Sequence, residues 1–248
     1  MCEAPILPAK TGQEGFGLYI FPVLRYDNEN KEGGVSMNNP KQKYYEKRAQ
    51  ILIKNLRSRH FEACYCENRA EALAKALEWI PAGSSVGWGG ALSAQQIGLL
   101  DAVRAGDYRA IDRDRASTPA EQEKIMKQCL GADVFITGAN ALSLDGQMVN
   151  IDGTGNRVGA IVYGPESVIV IAGMNKVADT LEDAVKRART VAAPMNKQRF
   201  DLKTPCEVTG ACADCKADGC ICNQILITRN CRPTGRIKFI LVGEELGL

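Results

Sequence analysis

Histidine is almost missing from this chain of 248 residues, which holds only one, His60. It stands between a helical stretch and the strand-like FEACYC, with no carboxylate nearby to orient it, so it reads as a boundary residue on the surface. A Ser-His-Asp triad is disfavoured, and a histidine-rich metal site is excluded. Long apolar runs are lacking too. No stretch approaches the roughly 18 residues that span a bilayer, and the opening MCEAPILPAK has neither the basic nor the apolar region of a secretory signal. Charge of one sign is also scarce: the net is +2, with Lys and Arg scattered through helical stretches, so nothing draws the chain to nucleic acid or an acidic membrane. The expectation is a cytoplasmic protein without membrane insertion. Neither the dinucleotide G-x-G-x-x-G nor the P-loop spacing occurs.

What is present is core-forming material, with 45% hydrophobic and 24% charged residues, enough for one large α/β domain. Residues 1–39 are rich in Gly and Pro without period and read as an irregular arm, and Met37 before NNPKQ would make a natural start. From Lys41 an apolar stripe of Tyr45, Ala49, Leu52, Ile53 and Leu56 marks an amphipathic helix. Asn68 with Glu71 caps a helix running to about Ile80. SSVGWGGALSAQQIGLL reads as strand, Gly-rich turn and helix, with Ser93 as the cap, and Gly89 and Gly90 would let the backbone approach an anion. Tyr108 to Ile111 forms a short strand. Thr118-Pro119-Ala120-Glu121 opens a helix that stops at Gly131. DVFITG, VGAIVYG and SVIVIAG read as strands buried on both faces, and Thr180 with Asp183 caps a helix ending at Pro194. Alternating strands and helices predict an open, mainly parallel sheet with flanking helices, and such sheets commonly pair into homodimers through helices.

Between the strand-like runs lies TGANALSLDGQMVNIDGTGNR, residues 137–157. A polar, Gly-rich stretch after a buried strand is where such a sheet builds its ligand site. Asp145 and Asp152 are the candidate acid–base groups, and Asn140, Gly146, Asn150, Asn156 and Arg157 the candidate substrate ligands. Lys176, in GMNK beyond the last of these runs, can hold an anion or polarise a carbonyl, with Asn175 beside it. The ligand expected here is a small anionic metabolite.

GWGGALSAQQIGLLDAV, the 137–157 stretch with its flanks, IAGMNKV and the closing RIKFILVGEELGL together resemble the LUD domain of the lactate-utilization family over residues 40–248. The resemblance implies a NagB/RpiA/CoA-transferase-like fold. It also implies a part in oxidising L-lactate to pyruvate beside separate redox subunits. Asp145-Gly146 is similar to the Asp-Gly of glucosamine-phosphate deaminases of the wider fold, whose catalytic histidine has no counterpart here.

One departure from the plainest members is the Cys-rich insertion at 204–224. Ten cysteines in a protein of this kind do not suggest a disulfide framework. Cys206, Cys212, Cys215 and Cys222 make a four-thiolate set for a [4Fe–4S] cluster or a tetrahedral zinc. Cys220 is a potential substitute, and Cys231 is more remote. The link to lactate oxidation favours iron–sulfur. The runs QILIT and RIKFILVGEELG look like a strand pair clamping the insertion. Three functions follow: a redox-linked component of hydroxy-acid oxidation; a non-redox isomerase or CoA-transferase-like enzyme with structural zinc and Asp145 or Asp152 as base; or a metabolite or iron–sulfur sensor.

Overall fold

Runs of Val, Ile and Phe without polar alternation belong in strands covered on both sides, and they form the centre of a six-stranded parallel sheet. The strands are β1 (Glu62–Cys66), β2 (Ser85–Trp88), β3 (Arg109–Ile111), β4 (Val134–Gly138), β7 (Ser167–Gly173) and β10 (Ile237–Val242), ordered β1, β10, β7, β4, β2, β3. All pairs are parallel, with Ile136 opposite Trp88 on one side and Ile169 on the other. The computed structural model describes residues 39–248. The arm expected over 1–39 therefore lies outside the described residues, except for Asn39.

Asn39 accepts a hydrogen bond from the Lys41 amide and caps α1 (Pro40–Ser58), whose buried face is the expected Tyr45, Ala49, Leu52, Ile53 and Leu56. That face joins Phe61 and Phe239, packed edge to face at 5.3 Å, in the core on one side of the sheet. The other side is covered by α2 (Arg69–Trp79), α3 (Leu92–Gln96) and α4 (Leu99–Ala105), with Ala72, Ala76, Leu99 and Val103 buried against Ile169 and Ile171. The helix expected after Gly90 is broken in two, because Gly98 takes φ +79° between α3 and α4. α5 (Pro119–Gln128) begins at its Thr118 cap and ends in a 3₁₀ turn at Gly131.

The second, smaller sheet runs β8, β5, β6, β9: β8 (Val177–Ala178), β5 (Ala141–Ser143), β6 (Met148–Asp152) and β9 (Gln224–Thr228). Two expectations are corrected here. QILIT and RIKFILVGEELG do not pair with each other: β9 lies antiparallel to β6, whereas β10 sits between β1 and β7. Their burial explains the split, since β10 is enclosed while Ile225 and Ile227 of β9 stay partly exposed on a sheet edge. VGAIVYG is not a strand: its first five residues belong to α6 (Asn156–Val162), which buries Val158, Ala160 and Ile161. The cause is local. Asp152 Oδ2 accepts from the Arg157 and Val158 amides at 2.8 and 3.1 Å, anchoring the first turn.

α7 (Leu181–Arg187) starts at its Thr180 cap but does not end at Pro194. A π-turn over Ala188–Ala192 leads into α8 (Ala193–Lys197), where Pro194 occupies the first turn and lacks no needed N–H. The Cys-rich insertion follows, with its one helix α9 (Pro205–Thr209), and returns directly into β9. Among the described residues no helix is long and apolar enough to cross a membrane.

Candidate functional site

From β2 the chain leaves toward β3, and from neighbouring β4 it leaves the opposite way, toward β7. A crevice opens at the carboxyl ends of strands where connections diverge like this. A cavity of about 320 Å³ lies there, lined by Gly90 and Ser93 after β2, Gly138 at the end of β4 and Asn140 beyond it, Asp152 at the end of β6, and Lys176 after β7. Four cationic side chains, Arg113, Arg157, Lys176 and Arg199, line it with one acidic side chain, Asp152, and with the chain's last residue, Leu248, which carries the terminal carboxylate. The pocket is built for an anion.

Arg157 donates through Nη2 to Asn140 Oδ1 at 2.9 Å and to the Ile151 carbonyl. Its methylenes lie over Gly89, where an added Cβ would come within 3.1 to 3.2 Å of Arg157 carbons. A side chain at Gly89 would thus crowd the arginine's stem, while Gly90 faces open space. Lys176 is 4% exposed and sits in the 3₁₀ turn after β7. Its Nζ donates to Ser93 Oγ at 3.0 Å. Burial, with the Arg187 and Arg157 guanidiniums nearby, lowers its pKa to about 7. Arg187 stands behind the site, donating to the Asn175 and Asn140 carbonyls.

A second cavity, of about 80 Å³, lies next door. Cys206, Cys212, Cys215, Cys220 and Cys222 all line it, together with the buried Lys197 and with Arg189. Cys222 is pushed up to about 12, first by burial and then by neighbouring thiols including Cys220 and Cys212. Lys197 is fully buried, and the only hydrogen bond of its side-chain nitrogen among the described residues runs to the Phe200 carbonyl at 2.8 Å. Arg189 pairs with Asp214. The insertion is fastened to the first pocket: Asn223 Nδ2 donates to the Gly153 carbonyl at 2.9 Å, and Ile221 lines both cavities. Among the described residues no three His, Cys, Asp or Glu side chains converge as ligands of a single metal ion.

The model of the LUD domain matches residues 49–242. The chain belongs to the LUD-domain family. Membership makes this a lactate-utilization-related protein. A crystal structure of a DUF162 family protein from Deinococcus radiodurans is similar over 81% of this LUD-domain chain and 97% of its own, at 12% identity and a TM-score of 0.44, a likeness too distant to transfer any residue. No curated protein matches the chain.

The LUD domain gathers Gly90, Asn140, Asp152, Asn156, Arg157 and Lys176 in the first pocket, with Gly89 beneath Arg157. It does not bring Asp145 and Gly146 there. Both lie in the turn joining β5 to β6, where Asp145 accepts from Ser143, from Gln147 at 2.9 Å and from Arg59 at 2.8 Å. Partial burial would raise the Asp145 carboxyl, but these hydrogen bonds and the Arg59 charge outweigh it and hold the group below its usual range. Gly146, at φ +91°, would meet the Asn55 backbone at 2.8 Å if it carried a Cβ. Both are fold residues.

Asp152 is in the pocket but occupied, since its two oxygens accept from the amides of Gly153, Arg157 and Val158. It anchors the first turn of α6. Asn150 is buried behind the pocket floor, donating to the Gly138 carbonyl at 3.0 Å. Asn175 is not among the residues that line the pocket, and it accepts from the Leu246 amide at 3.1 Å. Ser93, expected as a helix cap, instead sits inside α3 and turns its hydroxyl to Lys176, while Ala91 holds the cap position without a side-chain bond. Arg113, Arg199 and Ile221 carried no local signal of a site, because only the topology brings them to it. Cys231 is apart from the other thiols: it is buried in the main core and accepts from the Ile237 amide at 3.2 Å. His60 ends α1 on the surface at φ +67°.

Proposed function

We propose that this LUD-domain protein is a component of the oxidation of L-lactate or a related 2-hydroxy acid to the keto acid, binding that small anion in the 320 Å³ pocket and a [4Fe–4S] cluster in the thiol-lined cavity. The observation that carries the reading is the shared wall. Ile221, flanked by Cys220 and Cys222, faces both spaces, so a redox group on the thiols would stand one residue from a bound anion.

The donor set fits such a group. Five thiols around one cavity exceed the four that a cluster needs, and cluster thiolates bind separate irons and so need not meet at a point. Zinc is less well served, because four sulfurs at about 2.3 Å from one ion would have to converge. A cluster with four thiolates is anionic, and the buried ammonium of Lys197 in the cavity wall is a countercharge for it. When bound, the cluster supplies one-electron chemistry beside the pocket.

In the first pocket Arg157, fixed by Asn140, receives the substrate carboxylate. The neutral amine of Lys176, with Ser93 behind it, is placed to take the hydroxyl proton as the C2–H bond breaks and the carbonyl forms. The C2 hydrogen leaves with the bonding pair as a hydride to a two-electron acceptor on a separate redox subunit, while the alkoxide electrons close the carbonyl. Isomerase chemistry finds little support, since Asp145 is outside the pocket and Asp152 is committed to backbone amides.

Calorimetry tests the anion site: lactate and pyruvate should bind the anaerobically purified protein, and Arg157→Ala should weaken both at least about tenfold, the loss expected for one charge-assisted bond. If neither acid bound, or Arg157→Ala bound both as the parent does, the assignment would fail.

A further inference from the structure

We infer that Lys176 is a carbonyl-capturing amine, whose Nζ condenses reversibly with the C2 carbonyl of a 2-keto acid held in the pocket. The inference rests on the reading of that pocket as a 2-hydroxy or 2-keto acid site, and adds to it a covalent intermediate with the chain.

The placement is the main argument. Lys176 is almost wholly buried yet lines the open pocket at the carboxyl end of β7. Its neighbours come from several elements: the charged side chains that act on it are the cations Arg157 from α6 and Arg187 from α7, and Gly247, next to the terminal Leu248, is close enough that a Cβ there would stand 2.6 Å from Nζ. Ser93 of α3 accepts its hydrogen bond at 3.0 Å. Gly138 at the end of β4 brings no side chain, and a Cβ there would lie 3.9 Å from Nζ. The one acidic side chain of the pocket, Asp152, spends its oxygens on backbone amides. A lysine meant as a fixed cation is normally held by an acidic partner. One buried beside two guanidiniums, with its pKa lowered to about 7, offers a free lone pair in roughly half of the molecules at neutral pH, as a nucleophilic amine needs.

The chemistry balances without a co-reactant. The nitrogen forms a bond to C2, and the carbonyl oxygen gains two protons that began on the amine. It leaves as water, and a C=N bond remains. Ser93 Oγ, already bonded to Nζ, can pass a proton between nitrogen and oxygen in the intermediate. Arg157 on the keto acid's carboxylate would hold C2 toward the amine.

Reductive trapping decides it. The full chain is incubated with pyruvate, then with sodium borohydride, digested and mapped by mass spectrometry, while calorimetry measures pyruvate binding without borohydride. The expected result is a single carboxyethyl group on the peptide containing Lys176, lost in Lys176→Arg and Lys176→Met and kept in the surface variant Lys186→Ala. Arg157→Ala should need at least about tenfold more pyruvate for half-maximal trapping. Binding of pyruvate with no adduct, or with adducts spread over surface lysines, overturns the imine and leaves the anion pocket standing. No binding and no adduct overturns both. Circular dichroism on the two Lys176 variants separates a lost nucleophile from a lost fold, and should Lys176→Met misfold, Lys176→Arg still decides the matter.

Discussion

Lys176 and Arg157 carry the site, and each is set by neighbours that can be altered singly. Folding takes the Lys176 amine from its usual range near 10.5 down to about 7. Between those two values the unfolded chain holds a proton that the folded chain lacks, so stability rises with pH through that window and the full cost remains below about 7. Lys176→Met removes the cost. Its gain in unfolding free energy over the parent should therefore be larger at pH 6 than at pH 10, by a few kcal/mol on the scale of about 1.4 kcal/mol per pKa unit. Urea unfolding at the two values measures this, and an equal gain at both would show that Lys176 titrates as an ordinary lysine. Gly89→Ala should push the Arg157 stem aside and weaken pyruvate binding severalfold, roughly 1 kcal/mol, whereas a Cβ at Gly90 meets only open space. Binding to Gly89→Ala at the parent's affinity would contradict that role. At this scale the sequence was partly legible. Asn140, Arg157 and Lys176 could be picked out because polar residues stood beside buried strands. Asp145 looked equally good, because nothing local reveals that Arg59, at the end of α1, reaches across to hold it.

Elements were legible where caps and stripes were strong. α1, α2 and α5 begin at their Asn or Thr caps, and the stripe of α1 is buried residue for residue. α6 was not legible, since VGAIV suits a buried strand as well as a buried helix and only the Asp152 cap, set five and six residues back, decides it. Asp152→Ala should therefore cost about 1 to 2 kcal/mol, read as a lower urea midpoint, and Asp152→Asn should recover part of it. A loss of binding without loss of stability would instead mark Asp152 as chemical. In the Cys-rich insertion, Cys222→Ser should lower the iron content of the protein. Cys231→Ser should leave iron unchanged but destabilise the core by roughly 1 to 3 kcal/mol, because Cys231 lies in the core of the main sheet.

At the scale of the whole molecule, the parallel sheet puts the ends of β2, β4 and β7 around one pocket at the divergence of its connections. The α/β class followed from alternating strand and helix signals. The second sheet did not, since its strands are short and its edge strand β9 lies far along the chain from its partner β6. That distant pairing brings the insertion to the pocket and makes Ile221 a wall of two cavities. A redox role depends on what the second cavity holds. The direct measurement is the iron, acid-labile sulfide and zinc content of anaerobically purified protein. About four irons and four sulfides per chain are expected, falling in Cys222→Ser. Stoichiometric zinc without sulfide, or full-length folded protein with all its thiols free and no iron, would contradict that expectation.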